Sequence, residues 1–305
     1  YNNQGDPVVA FCGDGTALFC YLDYVGAYQP HRLVVARSTD KGSTWLGPGV
    51  VYQGSYPFAD KPWMACAPNE GTYDNRAYVS WTLFGGTGGI QIKYSDDRGQ
   101  TWEGQEKISG GGVQGSVIAA GRDGRVWVFW LGPTGIEYAR STNGGGTWDA
   151  WETASDVVAI SDTSFRRNSH PAAALDVSGG PHDGNLYVVW ADRREGDPDI
   201  FFTRSTDGGA TWEDARRIND DPVGNGLDQF FPWIAVDQRG DAHVMWHDRR
   251  DDALNERIHV YLTTSRDGGA TFDRNLRISD VPSDGTLTGF LGDYAAIAAG
   301  GGVIA

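Results

Sequence analysis

The sequence predicts an all-β protein, a β-propeller of four-stranded antiparallel blades. Three observations carry that expectation. One turn pattern recurs five times, short apolar strands recur around it, and the composition favours strands over helices. In 305 residues there are Gly 43, Trp 12 and Tyr 13 but only Met 2, the profile of many short strands joined by tight turns and packed through aromatics. At 40% hydrophobic and 21% charged, a chain of this length buries a large core within one domain.

The recurring turn reads S-x-[D/N]-x-G-x-T-[W/F]. Its copies are Ser38–Trp45, Ser95–Trp102, Ser141–Trp148, Ser205–Trp212 and Ser265–Phe272, and the serines lie 57, 46, 64 and 60 residues apart. Spacings near 50 residues suggest propeller blades. In each copy the acidic or amide residue (Asp40, Asp97, Asn143, Asp207 or Asp267) and the serine are suited to bond local backbone, and glycine supplies a permissive φ. The aromatic is expected to pack on the neighbouring hairpin. These turns are therefore read as a folding device, with function in the residues that do not repeat.

Each interval holds the same four strands. In the fifth copy they are "FPWIAVD" (231–237), "AHVMWHD" (242–248), "IHVYLTTS" (258–265) and "FDRNLRIS" (272–279), with the turn joining the third to the fourth. First strands elsewhere are 6–12, 61–67, 115–121 and 170–176. Blades are thus expected at 1–53, 54–110, 111–156, 157–220 and 221–282, with a partial sixth over 283–305. A six-bladed ring whose last blade is unfinished avoids an open edge; a five-bladed ring with a C-terminal flap is the alternative. Trp81, Trp130, Trp190 and Trp246 end the second strands, which marks them as packing residues.

The formal net charge of −15 speaks against nucleic acid and anionic membrane surfaces, which favour basic patches. No run of 18 apolar residues occurs, so no membrane span is expected. The start at Tyr1, without Met or a signal peptide, suggests a processed polypeptide. Cys12, Cys20 and Cys66 have no metal-ligand spacing. Cys66 in "PWMACA" reads as a buried small hydrophobe, and one bridge stays open without a preferred pair. No cofactor is called for with certainty: the acidic stretches 219–221 and 248–252 could ligate Ca²⁺, but they lack the fixed loop spacing of a calcium motif, so solvated loops are the default reading.

Five such turns on four-stranded blades resemble the Asp-box, or bacterial neuraminidase repeat, proteins, best known as sialidases. The resemblance covers essentially the whole chain. It implies a site on the loop rim opposite the turns, where an arginine triad holds a carboxylate, a tyrosine activated by a glutamate is the nucleophile and an aspartate is the acid/base. Arg257 then corresponds to the last triad arginine, Arg193 to the middle one and Tyr294 to the nucleophile. Asp23 or Asp60, in a loop, would supply the acid. The first arginine is missing, since Gln4-Gly5-Asp6-Pro7 offers an aspartate there. The glutamate is missing too, where "RRNSHPAAA" offers Ser169 or His170; Arg166 or Arg167 could stand in for the arginine. The duplicated Asp-Arg-Arg at 192–194 and 248–250 also fits a structural salt-bridge and capping element.

Two functions follow. One is a non-catalytic recognition or assembly module, acting on a glycan or protein partner through the loop rim. The other is a sialidase-like glycoside hydrolase. The missing arginine and glutamate weigh towards the first. Either is expected to be extracellular or periplasmic.

Overall fold

The structure is a computed structural model that describes residues 2–24, 31–54, 58–68, 71–160, 167–286 and 290–305. No helix occurs among them, and none is long and apolar enough to cross a membrane. The chain divides into two compact units, 1–133 with 137–152, and 134–136 with 153–305.

Five sheets follow one another, each with its four main strands in chain order. The first has β1 (Asn2–Phe11), β2 (Ala17–Tyr24), β3 (His31–Ser38) and β4 (Leu46–Gly54); the second has β5 (Phe58–Cys66), β6 (Ala77–Phe84), β7 (Gly89–Ser95) and β8 (Glu103–Lys107). The third comprises β9 (Gln114–Ala120), β10 (Val126–Gly132), β11 (Gly135–Ser141) and β12 (Glu152–Ser155), and the fourth β13 (Ala172–Leu175), β14 (Leu186–Asp192), β15 (Asp199–Ser205) and β16 (Arg216–Arg217). In the fifth are β17 (Gln229–Val236), β18 (Ala242–Asp248), β19 (Arg257–Ser265) and β20 (Leu276–Arg277), with β21 (Ser283–Asp284) pairing β19. A separate hairpin joins β22 (Ala299–Gly300) and β23 (Val303–Ile304).

The expected second and third strands are present. The fourth strand of the fifth sheet is shorter than its sequence suggests: 272–279 reads as a strand, yet only Leu276 and Arg277 pair β19. It lies at the sheet edge, where both its side chains are exposed and nothing enforces a longer ladder. The first strand of the fourth sheet likewise shrinks from 170–176 to Ala172–Leu175, whereas β1 begins at Asn2, earlier than expected.

All five turns close in the same way. The serine Oγ (Ser38, Ser95, Ser141, Ser205, Ser265) accepts the glycine N–H four residues on at 2.8 Å. The Asp or Asn Oδ1 accepts the threonine N–H at 2.8–2.9 Å. That glycine has φ between 79 and 86° in every copy, a left-handed conformation that a Cβ would strain.

In the first unit, aromatic and aliphatic side chains fill the space between consecutive sheets. Trp102 joins a core with Val8, Leu18, Cys20 and Val35 of the first sheet, and Trp148 packs on a core built from the second and third. In the second unit Phe272 meets Phe202 edge-on at 4.9 Å. In these three copies the box aromatic locks its sheet to the preceding one. Arginines do the same at the backbone. Arg76 pairs with Asp96, lies 4.0 Å from the Tyr94 ring and 4.5 Å from the Tyr73 ring, and donates to the Gly144 carbonyl at 2.8 Å. Trp81, Trp130, Trp190 and Trp246 are all fully buried, as their positions predict.

The bridge left open by the sequence is Cys12–Cys66, formed between the ends of β1 and β5, so Cys66 is a bridged cysteine and not simply a small hydrophobe. Cys20 is the buried free thiol. Sequence spacing could not choose the pair, since adjacency across two sheets is a tertiary property.

Candidate functional site

In the second unit, the end of the sheets away from the turns is built on arginine–aspartate locks. Asp192 Oδ2 accepts Trp190 Nε1 at 2.9 Å and Arg194 Nη2 at 2.6 Å. Asp248 repeats this, accepting Trp246 Nε1 at 2.7 Å and Arg250 Nε at 2.8 Å. Arg194 reaches on to Asp156, and Arg250 to Asp220 at 2.5 Å. The outer arginine of each Asp-Arg-Arg is therefore a structural cap, which holds the middle arginines, Arg193 and Arg249, at fixed points of the loops.

Arg193 is exposed, and its N–H is tied to the Val158 carbonyl at 2.9 Å. With Arg167 it lines a cavity of about 170 Å³, closed by Ile160, Gly196 and Pro198. Two of the predicted arginines are thus brought together. Arg167 is held by a charge-assisted bond to Asp228 and stands 5.5 Å from the Phe230 ring. Asp228 also accepts Asn255 Nδ2 at 2.9 Å and lies 3.5 Å from Arg249. The sequence reading did not single out Asp228, Asn255 or Arg249; the signal available for Arg249 was its equivalence to Arg193 in the duplicated motif.

Arg257 opens β19, exposed, with its backbone opposite Asp284 and its N–H on Asp252 Oδ2 at 2.8 Å. Tyr294 is half-buried and follows Asp293, whose carbonyl accepts Asn168 Nδ2 at 2.7 Å. His170 is half-buried beside the buried Ser169, whose Oγ accepts the Ile160 N–H at 3.0 Å. Arg166 lies outside the described residues. Of the acidic stretches, Asp221 and Asp248 both pair with Arg250. Among the described residues no three His, Cys, Asp or Glu side chains gather as a metal would require.

The first unit holds the two acid candidates, and both lie in strands, not loops. Ladder pairing extends further than expected, so Asp23 faces Arg32 across β2 and β3, and Asp60 faces Thr82 across β5 and β6. Asp23 is buried and ion-paired with Arg32. Asp60 lies 4.0 Å from the buried Lys61 Nζ, and Asp6 Oδ2 accepts the Lys61 N–H at 3.1 Å. Burial pushes the Asp6 carboxyl up, and the hydrogen bond and charge of Asp60 add to it, bringing it to about 6. Asp6 and Lys61 both have left-handed φ, 51 and 49°, and Phe231 shares it at 51°. Each precedes a proline at a break in ladder register, so X-Pro in a first strand marks a bulge that re-aims one side chain. That signal is readable in sequence and would have drawn Lys61 into the candidate set.

The BNR/Asp-box repeat pattern matches residues 93–103, which contain the second turn. The chain has the fold of a β-propeller and carries the Asp-box repeat. The propeller is similar in structure to a Hadza microbial sialidase, Hz136, at TM-score 0.55 and 17% identity, over 96% of this chain and 60% of that one. It thus spans less than two thirds of that sialidase. It is similar also to the α-L-arabinofuranosidase Arb93A of Fusarium graminearum (TM-score 0.59, 12% identity, 93% and 83% covered). A Dyadobacter fermentans protein of unknown function aligns at TM-score 0.52 and 14% identity, over 86% and 91%. At these identities the likeness is one of fold. No curated protein matches the propeller in sequence.

Proposed function

We propose that this propeller is a secreted glycan-recognition module that holds an acidic sugar at the loop end of its second unit. The observation that carries this reading is the cavity shared by Arg167 and Arg193. Guanidinium groups pair bidentately with carboxylates, and Arg167 is pre-organised by Asp228 while Arg193 faces solvent. Arg257, His170 and Tyr294 are further contacts offered by the same end. Fold likeness to a sialidase and an arabinofuranosidase adds that sugars are the ligand class this scaffold commonly serves.

Calorimetric titration with N-acetylneuraminic acid and with galactose tests the reading. Arg193→Ala is expected to weaken the acidic sugar at least tenfold, while Tyr294→Phe changes binding little. Equal affinity for galactose, or an unaffected Arg193→Ala, would overturn it.

A second reading, a glycoside hydrolase, is favoured by the Asp6–Asp60 pair, since a carboxyl that keeps its proton towards neutral pH beside a second carboxyl is the equipment of acid/base glycoside cleavage. Hydrolysis of a fluorogenic sialoside and a panel of neutral glycosides separates the two. The recognition module shows no turnover above buffer. Turnover that Tyr294→Phe or Asp6→Asn abolishes would establish the hydrolase.

A further inference from the structure

We propose a second ligand site, independent of the loop end: a groove along the outer edge of the fifth sheet that takes a carboxylate-bearing sugar within a polysaccharide chain. The groove has a volume of about 930 Å³, towards the top of the roughly 300–1,000 Å³ range of small-molecule sites and enough for several sugar rings.

Its floor is rigid and already neutralised. Arg250 lies 4.4 Å from the Tyr261 ring centroid and is saturated by Asp248, Asp220 and Asp221. Asp220 is saturated in turn, with Oδ1 on Arg250 and Oδ2 accepting the Asn275 N–H at 3.1 Å. The Tyr261 hydroxyl donates to Asp251 at 2.9 Å, and Arg277 pairs with the same carboxylate at 3.2 Å. What remains is Arg274, exposed on the groove wall and without an ion pair among the described residues. Beside it Leu276 is 61% exposed. In a chain of net charge −15, a wall with one uncompensated guanidinium next to an apolar side chain is a local reversal of sign.

These features select the ligand. The spare positive charge suits a carboxylate, and Asp220 and Asp251, already paired with Arg250 and Arg277, set no unpaired negative charge against it. Leu276 and the Tyr261 ring offer apolar surface to the C–H face of a sugar. A uronate residue combines both demands, and the open groove lets its neighbours in the polymer pass.

Hexagalacturonate is titrated calorimetrically into the Arg193→Ala protein, so that the loop-end cavity does not contribute, with cellohexaose as the neutral probe. Hexagalacturonate is expected to bind, to weaken at least tenfold on Arg274→Ala and severalfold on Leu276→Asp, and to weaken with added salt, with melting temperatures unchanged. Absence of binding, equal binding of cellohexaose, or an Arg274→Ala protein that binds like its parent overturns the site. Displacement by inorganic sulfate at equal ionic strength as effective as by the oligosaccharide overturns its assignment to sugar. Failure of the loop-end reading leaves this test intact, since it is performed with that cavity disabled.

Discussion

Asp207 and Thr211 are joined twice: the Thr211 N–H donates to Asp207 Oδ1 at 2.9 Å and its hydroxyl to Oδ2 at 2.6 Å. Ser205 Oγ donates a third bond to Oδ1 at 2.7 Å. The carboxylate thus closes its turn by itself, and the same geometry recurs at Asp40, Asp97 and Asp267.

Asp207→Ala removes all three bonds, each worth about 1 kcal/mol. The expected result is a lower melting temperature, with ligand binding by the folded fraction unchanged; lost binding at full stability would contradict the structural role. The Thr211 hydroxyl, its N–H and Ser205 hold the carboxyl down to about 2. A depressed folded value contributes stability that is present above the ordinary aspartate range and lost as pH falls from about 4 towards 2. Acid unfolding of Asp207→Ala is therefore expected to be shallower in that window. The third turn provides an internal contrast, since Asn143 Oδ1 accepts the Thr147 N–H while its Nδ2 donates to the Thr147 hydroxyl, closing the turn without an ionisable group.

Asp6 has the opposite sign. Its folded carboxyl is raised to about 6 by burial and by Asp60, so the folded state holds a proton that the unfolded state releases between about pH 4 and 6. Stability from this group is lost as pH rises through that window. Asp6→Asn keeps an acceptor for the Lys61 N–H and removes the charge. It is expected to flatten the decline in melting temperature between pH 4 and 7 and to raise stability at pH 8. An unchanged pH profile would refute the raised Asp6 carboxyl.

The Cys12–Cys66 disulfide closes a loop with a sequence separation of 54. For a loop of that size, chain entropy alone gives roughly 4 kcal/mol. Cys12→Ser with Cys66→Ser is expected to lower the melting temperature by many degrees, and reductant should do the same to the parent protein but not to the double variant. Equal melting with and without reductant would show the bridge to be energetically idle.

The fold was legible in sequence because its main determinant is local. Serine, aspartate, glycine and threonine of the turn bond one another within eight residues, and apolar alternation marks the buried second and third strands. The site was less legible. Arg167 and Arg193 lie 26 residues apart in sequence, and their shared cavity depends on two loops converging; the partner that orders Arg167, Asp228, lies 61 residues away. Asp23 and Asp60 were assigned to loops because strand ends carry no local mark where polar side chains find ladder partners.

By itself the sequence determined the strand order, the five turns and their internal hydrogen bonds, since each rests on residues a few positions apart. The tertiary structure decided what identical motifs become. Trp102 is 8% exposed and Trp45 45% exposed, though both end the same turn, because Trp102 enters the core of the preceding sheet while Trp45 has Phe19 edge-on at 6.0 Å. It decided also which cysteines bridge, which arginine of each Asp-Arg-Arg is a cap, and which carboxyl keeps its proton. Burial, charge pairing and disulfide geometry all depend on what distant segments place beside a residue, and no local pattern encodes that neighbour.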